Sequence, residues 1–266
     1  MIIAHISDPH IRRKGHLLHH MIDTAKALRR CVAQLNALDP RPDVVLATGD
    51  LSESGKPKEY RRLRRILASL EIPLYPIVGN HDRRKRFLEA FADAPYAMQH
   101  RGFVQYCIDT YPVRLIGLDS LAAKGAGGEL DEARLAWLEQ CLAERPHTPT
   151  LLFMHHPPYR TGIRAMDARG FRGAEALGAV VARHSQIERI VCGHIHRPTQ
   201  VRWNGTIVCT APSTSHQFVL ALRAHQPLGF VLEPPGYLLH VKDDGVMVTR
   251  TCTIGKLRGP FKKRRA

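Results

Sequence analysis

The side chains able to do chemistry in this 266-residue chain gather in five short polar blocks. These are Asp8-Pro9-His10, Gly49-Asp50, Gly79-Asn80-His81-Asp82, His155-His156-Pro157-Pro158 and Gly193-His194-Ile195-His196. Among their side chains are the two carboxylates of Asp8 and Asp50, one amide oxygen and four or more imidazoles. That mixed N/O set suits Zn, Fe, Mn or Co rather than Ca or a thiolate-selective metal. Seven donors exceed what one tetrahedral or octahedral site with an open position would use, so two metals sharing a carboxylate fit the count better. Residues i and i+2 of an extended segment point to one side, so Asp8 with His10 and His194 with His196 can each aim two donors at one cleft. Gly49, Gly79 and Gly193 let backbone approach a crowded centre. Each block alone is a weak signal: with 16 histidines an isolated H-x-H arises by chance, and Asp-Pro is a turn dipeptide. Their joint occurrence in one order is what points to a site.

The elements that must position these blocks are short apolar runs. Ile2 to Ile6, Val44 to Ala47, Leu74 to Val78, Val113 to Leu118, Leu151 to Met154, Ile190 to Cys192 and Thr206 to Cys209 read as buried strands. The blocks lie at the downstream ends of five of them. Helical spacing marks Leu17 to Leu38, Lys58 to Leu70, Asp131 to Ala143 and Ala174 to His184. Alternating strands and helices predict an α/β layered domain, whose ligands bind outside the carboxyl ends of the strands. No repeat or linker divides the chain, so residues 1–255 read as one domain. The proline-bearing stretch 212–237 reads as a loop, an edge hairpin, or a cap or oligomer contact.

Composition bounds the function class. At 44% hydrophobic and 24% charged the chain is an ordinary globular one. The net charge of +15 favours anionic partners and says nothing of fold. Residues 256–266 carry six cations and no acid, and are expected to form a disordered basic tail. The six cysteines are scattered singly, which fits reduced thiols. The opening residues do not resemble a signal peptide, and no apolar run approaches the ~18 residues that span a bilayer. A cytoplasmic protein with no membrane partner is the expectation.

In their order the blocks resemble the five-block signature of the calcineurin-like metallophosphoesterases. The opening Ala4-His5-Ile6-Ser7-Asp8, the block Phe153 to Pro158 and the chain length resemble the bacterial cyclic-nucleotide phosphodiesterase and glycerophosphodiesterase branch. Beyond residue 200 only Ser215-His216-Gln217 is similar. The resemblance implies a four-layer α-β-β-α sandwich with a dinuclear site at the strand ends. It implies one metal on Asp8, His10, Asp50 and His196, and a second on Asp50, Asn80, His155 and His194, with Asp50 bridging. His155 is preferred to His156 because family members with one histidine here keep it two residues before a proline. His81 is the implied general acid or phosphate contact, with Asn80 and His216 beside it at the substrate. Asp82 would orient a neighbouring imidazole, and His156 would pack behind the ligands.

Two divalent cations against Asp8 and Asp50 leave a surplus of about two positive charges, which lowers a bridging water's pKa from ~15.7 toward neutrality. The hydroxide so formed would attack phosphorus in line. The expected substrates are small anionic phosphodiesters, cyclic nucleotides such as 3',5'-cAMP or glycerophosphodiesters, and the expected assembly is a homo-oligomer. A nuclease or phosphomonoesterase on the same scaffold is the alternative, and a basic nucleic-acid-binding protein anchored by Lys262 to Arg265 is the non-enzymatic one. Arg12 and Arg13 read as a solvated loop, His16, His19 and His20 as surface composition, and His5 as a satisfied core histidine.

Overall fold

A computed structural model describes residues 1–94, 96, 102–223 and 225–255; the tail 256–266 lies outside them. β1 (Ile2–Ile6), β2 (Val44–Thr48) and β3 (Leu74–Ile77) form a parallel core, with Ile3 opposite Val44 and Val45 opposite Leu74. An antiparallel hairpin, Gly236–Asp243 and Val246–Thr253, extends this sheet beyond β1. The second sheet has a parallel centre of β5 (Arg114–Leu118), Thr150–Met154, Ile187–Cys192 and Thr206–Thr210. Its antiparallel edges are β4 (Tyr106–Ile108) and Thr199–Trp203. Val44–Thr48, Arg114–Leu118 and Thr150–Met154 are buried along their whole length, as parallel strands covered on both faces must be. Tyr106 ties the sheets together by donating to the Pro76 carbonyl at 2.6 Å. Helices flank both sheets, which yields the α/β sandwich expected from the sequence.

Helix boundaries follow from caps. α1 (Thr24–Asn36) opens where the Asp23 side chain accepts from the Lys26 amide at 2.9 Å. It buries Leu28, Cys31, Val32 and Leu35, the i, i+3, i+4, i+7 stripe that faces a core. The expected start at Leu17 is therefore wrong. Residues 17–22 form a turn closed by Leu18 and Ile22, with His19 and His20 at positive φ. α2 (Pro57–Leu67) has Pro57 in its first turn, and Glu59 accepts from the Lys56 amide at 3.2 Å. α3 (Arg84–Ala90) packs on α2. Truncating Leu28 to Ala in this core would cost roughly 2–5 kcal/mol.

Of the 212–237 stretch, Ser213 to Phe218 lies over the ends of the strands, and Gly236 and Tyr237 begin the antiparallel hairpin. Ser213 Oγ donates to the Asp8 carbonyl at 2.8 Å, and Gln217–Phe218 pairs with Phe230–Val231. Leu220, Leu222 and Leu232 are exposed on it. No helix among the described residues is long and apolar enough to cross a membrane.

Candidate metal centre

All five blocks converge at the strand ends. Their donors do not get there by strand alternation. Asp8, His10, Asp50, His194 and His196 all have positive φ, between 44° and 72°. Non-glycine residues pay strain in that region, and clusters of it mark functional sites. Extended spacing was thus the wrong reason for the right convergence: tight left-handed turns after each strand aim the side chains inward. Crowding explains the glycines. A Cβ on Gly193 would sit 1.9 Å from Ser7 Oγ, and one on Gly79 would sit 2.3 Å from Asp50 Oδ1.

Two cradles of donor atoms result. In the first, His196 Nε2 lies 3.1 Å from His10 Nε2 and 3.3 Å from Asp8 Oδ1, and His10 Nε2 lies 3.6 Å from Asp50 Oδ2. In the second, His155 Nε2 lies 3.4 Å from that same Asp50 oxygen, 3.1 Å from Asn80 Oδ1 and 3.2 Å from His194 Nδ1. Donors each about 2.1 Å from a shared centre stand roughly 3.0–3.4 Å apart in octahedral or tetrahedral arrangement. All of these distances but one fall in that range, and His10 Nε2 to Asp50 Oδ2, at 3.6 Å, lies just beyond it. Asp8 Oδ1 and His196 Nδ1 are buried without a hydrogen-bond partner, and an orphaned carboxylate oxygen aimed at imidazoles fits a cation. The residues present therefore suit a pair of divalent metals.

Hydrogen bonds behind the cradles set the tautomers. His155 Nδ1–H donates to the Thr48 carbonyl at 2.7 Å, and His10 Nδ1–H donates to Glu53 Oε2 at 2.8 Å, so in the neutral form that a metal would bind, both Nε2 atoms present lone pairs. Asp50 Oδ1 accepts from the His81 amide at 2.8 Å, which leaves Oδ2 facing both cradles. Burial disfavours charge throughout. Around Asp50 the neighbouring His155, His81 and His10 outweigh it and hold the carboxyl well below its usual range. For His155, burial is outweighed by Asp50, which lifts the imidazole to about 9; for His10, burial is outweighed by Glu53, Asp50 and Asp8, which lift it to about 8. Burial dominates at His194 and His196, which are pushed down.

The remaining expected site residues divide. His81 is partly exposed at the rim, donates Nδ1–H to the Glu53 carbonyl at 2.9 Å, and turns Nε2 to within 4.0 Å of Asp50 Oδ2. His216 is buried, its ring 4.6 Å from His196 and 5.8 Å from His10. His156 holds Ser120 Oγ on Nδ1 at 2.9 Å and packs 4.6 Å from His194. Asp82 orients no imidazole. Its carboxylate accepts from Leu51 N, Ser52 N, Ser52 Oγ, Tyr60 Oη and Gly79 N, and so pins the Asp50 turn to the Asn80 turn.

Three participants were missed. Glu53 joins His10 to His81; its signal was an acid three residues past Asp50. Phe218 stacks on His196 at 4.2 Å, and His19, read as surface composition, stacks on Phe230 at 4.4 Å beside His216. A cavity of about 200 Å³ opens next to the centre, lined by His156, Tyr159, Met166, Phe171, His194 and Ile195.

A two-sheet α/β sandwich carrying paired N/O cradles at its strand ends defines a class of metal-dependent phosphoester hydrolase. Residues 1–198 match the calcineurin-like phosphoesterase family, and the chain belongs to it. It is 38% identical to a probable glycerophosphodiester phosphodiesterase, GpdQ, of Arcobacter nitrofigilis, over 98% of this chain and 96% of that one. It is 31% identical to the 3',5'-cyclic adenosine monophosphate phosphodiesterase CpdA of Escherichia coli K12, over 81% and 77%. Among solved structures it resembles a dimetal phosphatase from Danio rerio, with TM-score 0.73, 15% identity and coverage of 96% and 97%.

Proposed function

We infer that this protein is a phosphodiesterase acting on small phosphodiesters, glycerophosphodiesters or cyclic nucleotides, with a divalent metal in each cradle. The observation that carries the reading is the single oxygen, Asp50 Oδ2, placed 3.6 Å from His10 Nε2 and 3.4 Å from His155 Nε2. Asp8, His10, Asp50 and His196 would hold one cation; Asp50, Asn80, His155 and His194 would hold the other. When bound, two such cations supply Lewis acidity toward phosphoryl oxygens and lower the pKa of a coordinated water. The mixed donor set supports Fe, Mn, Zn or Co.

The chain's own groups do the rest. Glu53 and the Thr48 carbonyl keep His10 and His155 in the tautomer that binds. His81 is anchored by Nδ1–H on the Glu53 carbonyl, which turns Nε2 toward the centre; as an imidazolium it would carry a second proton there, to be donated to a phosphoryl oxygen or the departing alkoxide. His216, with its ring 4.6 Å from His196, and Asn80, 3.1 Å from His155, would border the bound substrate. The cavity of about 200 Å³ beside His194 suits the small alcohol arm of a diester. The exposed Leu220, Leu222 and Leu232 support a homo-oligomer, which light scattering tests.

The substrate reading is tested by ³¹P NMR of metal-loaded protein incubated with glycerophosphoethanolamine and, separately, with 3',5'-cAMP. Conversion of either diester to a phosphomonoester is expected. Diesters left intact by protein that hydrolyses p-nitrophenyl phosphate in a parallel incubation would overturn the reading.

A further inference from the structure

Residues 12–14, 56–65 and 83–86 carry thirteen Lys and Arg against one acid, Glu59. Without these segments the rest of residues 1–255 would be net negative, so the basicity of the folded part is concentrated in them. The fold packs the three together. Arg62 donates to the carbonyls of Arg12 and Arg13, both at 3.0 Å, and α2 packs on α3. Four of the cations find carboxylates: Arg62, Arg64, Arg84 and Arg86. The other nine have none within 4 Å among the described residues. Glu59 is buried and spent on the Ser54 and Lys56 amides.

These cations line a concave track. One hollow, of about 620 Å³, is bordered by Arg12, Arg13, Lys56, Lys58 and Arg61; the next, of about 470 Å³, by Arg61, Arg64, Arg65 and Arg86. Pro57 and Arg61 border both, so the hollows are continuous. Clustered like charge destabilises a fold unless an anion meets it. We propose that this track binds a nucleic-acid strand by its phosphates, independently of sequence. Arginine outnumbers lysine, as suits bidentate contact with phosphate. The lining is concave, and no large apolar side chain of 56–65 or 83–86 is exposed, which favours a strand over a flat bilayer. The track begins at Ser54, next to Glu53, so the strand would run from the rim of the metal centre across α2 and α3.

The test is fluorescence anisotropy of a labelled 20-nucleotide RNA with the full-length protein, from 50 to 200 mM salt. Log K against log salt should have a slope of about −4, since single strands contribute roughly 0.7 per phosphate neutralised. The exposed triple variant Lys58→Glu/Arg61→Glu/Arg65→Glu should weaken binding at least tenfold and flatten the slope by about 2, with hydrolysis of a small diester unchanged. The milder triple Gln variant should shift in the same direction and covers a misfolded Glu variant. Absence of RNA binding at 50 mM salt would overturn the proposal. So would binding that neither variant weakens, which would place the contact in residues 256–266, or retention only on vesicles containing phosphatidylserine.

Discussion

The Nε2 atoms of His10 and His196 face each other at 3.1 Å although 186 residues separate them. The Nδ1–H of His10 is committed to Glu53, so the neutral ring presents a lone pair on its inner nitrogen, and the Asp8 oxygen 3.3 Å from His196 has no donor of its own. Acceptors turned inward on one another describe a cation site.

Asp50 is the proposed bridge, so Asp50→Ala should remove at least one metal as well as turnover. Activity on a diester should fall by about 10³-fold or more. Metal analysis by mass spectrometry should read one ion or fewer per chain; two tightly held ions would exclude the bridging role.

Glu53 acts through His10. Glu53→Gln keeps the shape but weakens the hold on Nδ1–H, and such partners typically contribute 10–100-fold to metal affinity or activity. The loss should shrink as added Mn²⁺ is raised. A metal-independent loss would assign Glu53 to substrate instead.

His81 should separate from the ligands in its behaviour. His81→Ala is expected to keep both metals and to slow turnover by roughly 10²-fold, most for diesters with poor leaving groups. An unchanged rate on an alkyl diester would remove the general-acid role.

Away from the centre, His5 and His240 are buried in the first sheet, 5.6 Å apart, with His5 Nε2 on Thr48 Oγ1 and His240 Nδ1 on Thr249 Oγ1. Burial lowers His5 to about 3 and His240 well below its usual range. The unfolded chain therefore takes up these protons first. Stability from keeping them neutral is complete above about pH 6.5 and drains away as pH falls toward 3. At pH 5 His5 alone costs about 2 kcal/mol relative to pH 7. Urea unfolding at both pH values should show His5→Gln losing that much less than the parent; equal losses would mean that His5 is not held neutral.

Much of the centre was legible in the sequence because the donors are few residue types in fixed blocks. The turns that aim them were not: positive φ at Asp8 or His194 is imposed by packing at the strand ends, and an H-x-H string reads equally well as extended backbone. Glu53 resembles a helix-capping acid until the fold brings it to His10 and His81. His216 and Phe218 reach the centre only because the segment after Pro212 crosses the strand ends. The hairpin at Asp244-Gly245 was readable, since Asp-Gly with both φ positive is a favoured turn, and the long apolar-polar alternation around it went unread. α1 was overextended because Leu17, Leu18, Met21 and Ile22 imitate helical spacing ahead of the Asp23 cap.

The most direct measurement compares bis(p-nitrophenyl) phosphate with p-nitrophenyl phosphate, using metal-stripped protein reconstituted with Mn²⁺ and an Asn80→Ala control. The account predicts cleavage that requires metal, favours the diester and collapses in the control. Diester cleavage that survives metal removal, or that Asn80→Ala leaves intact, would contradict it.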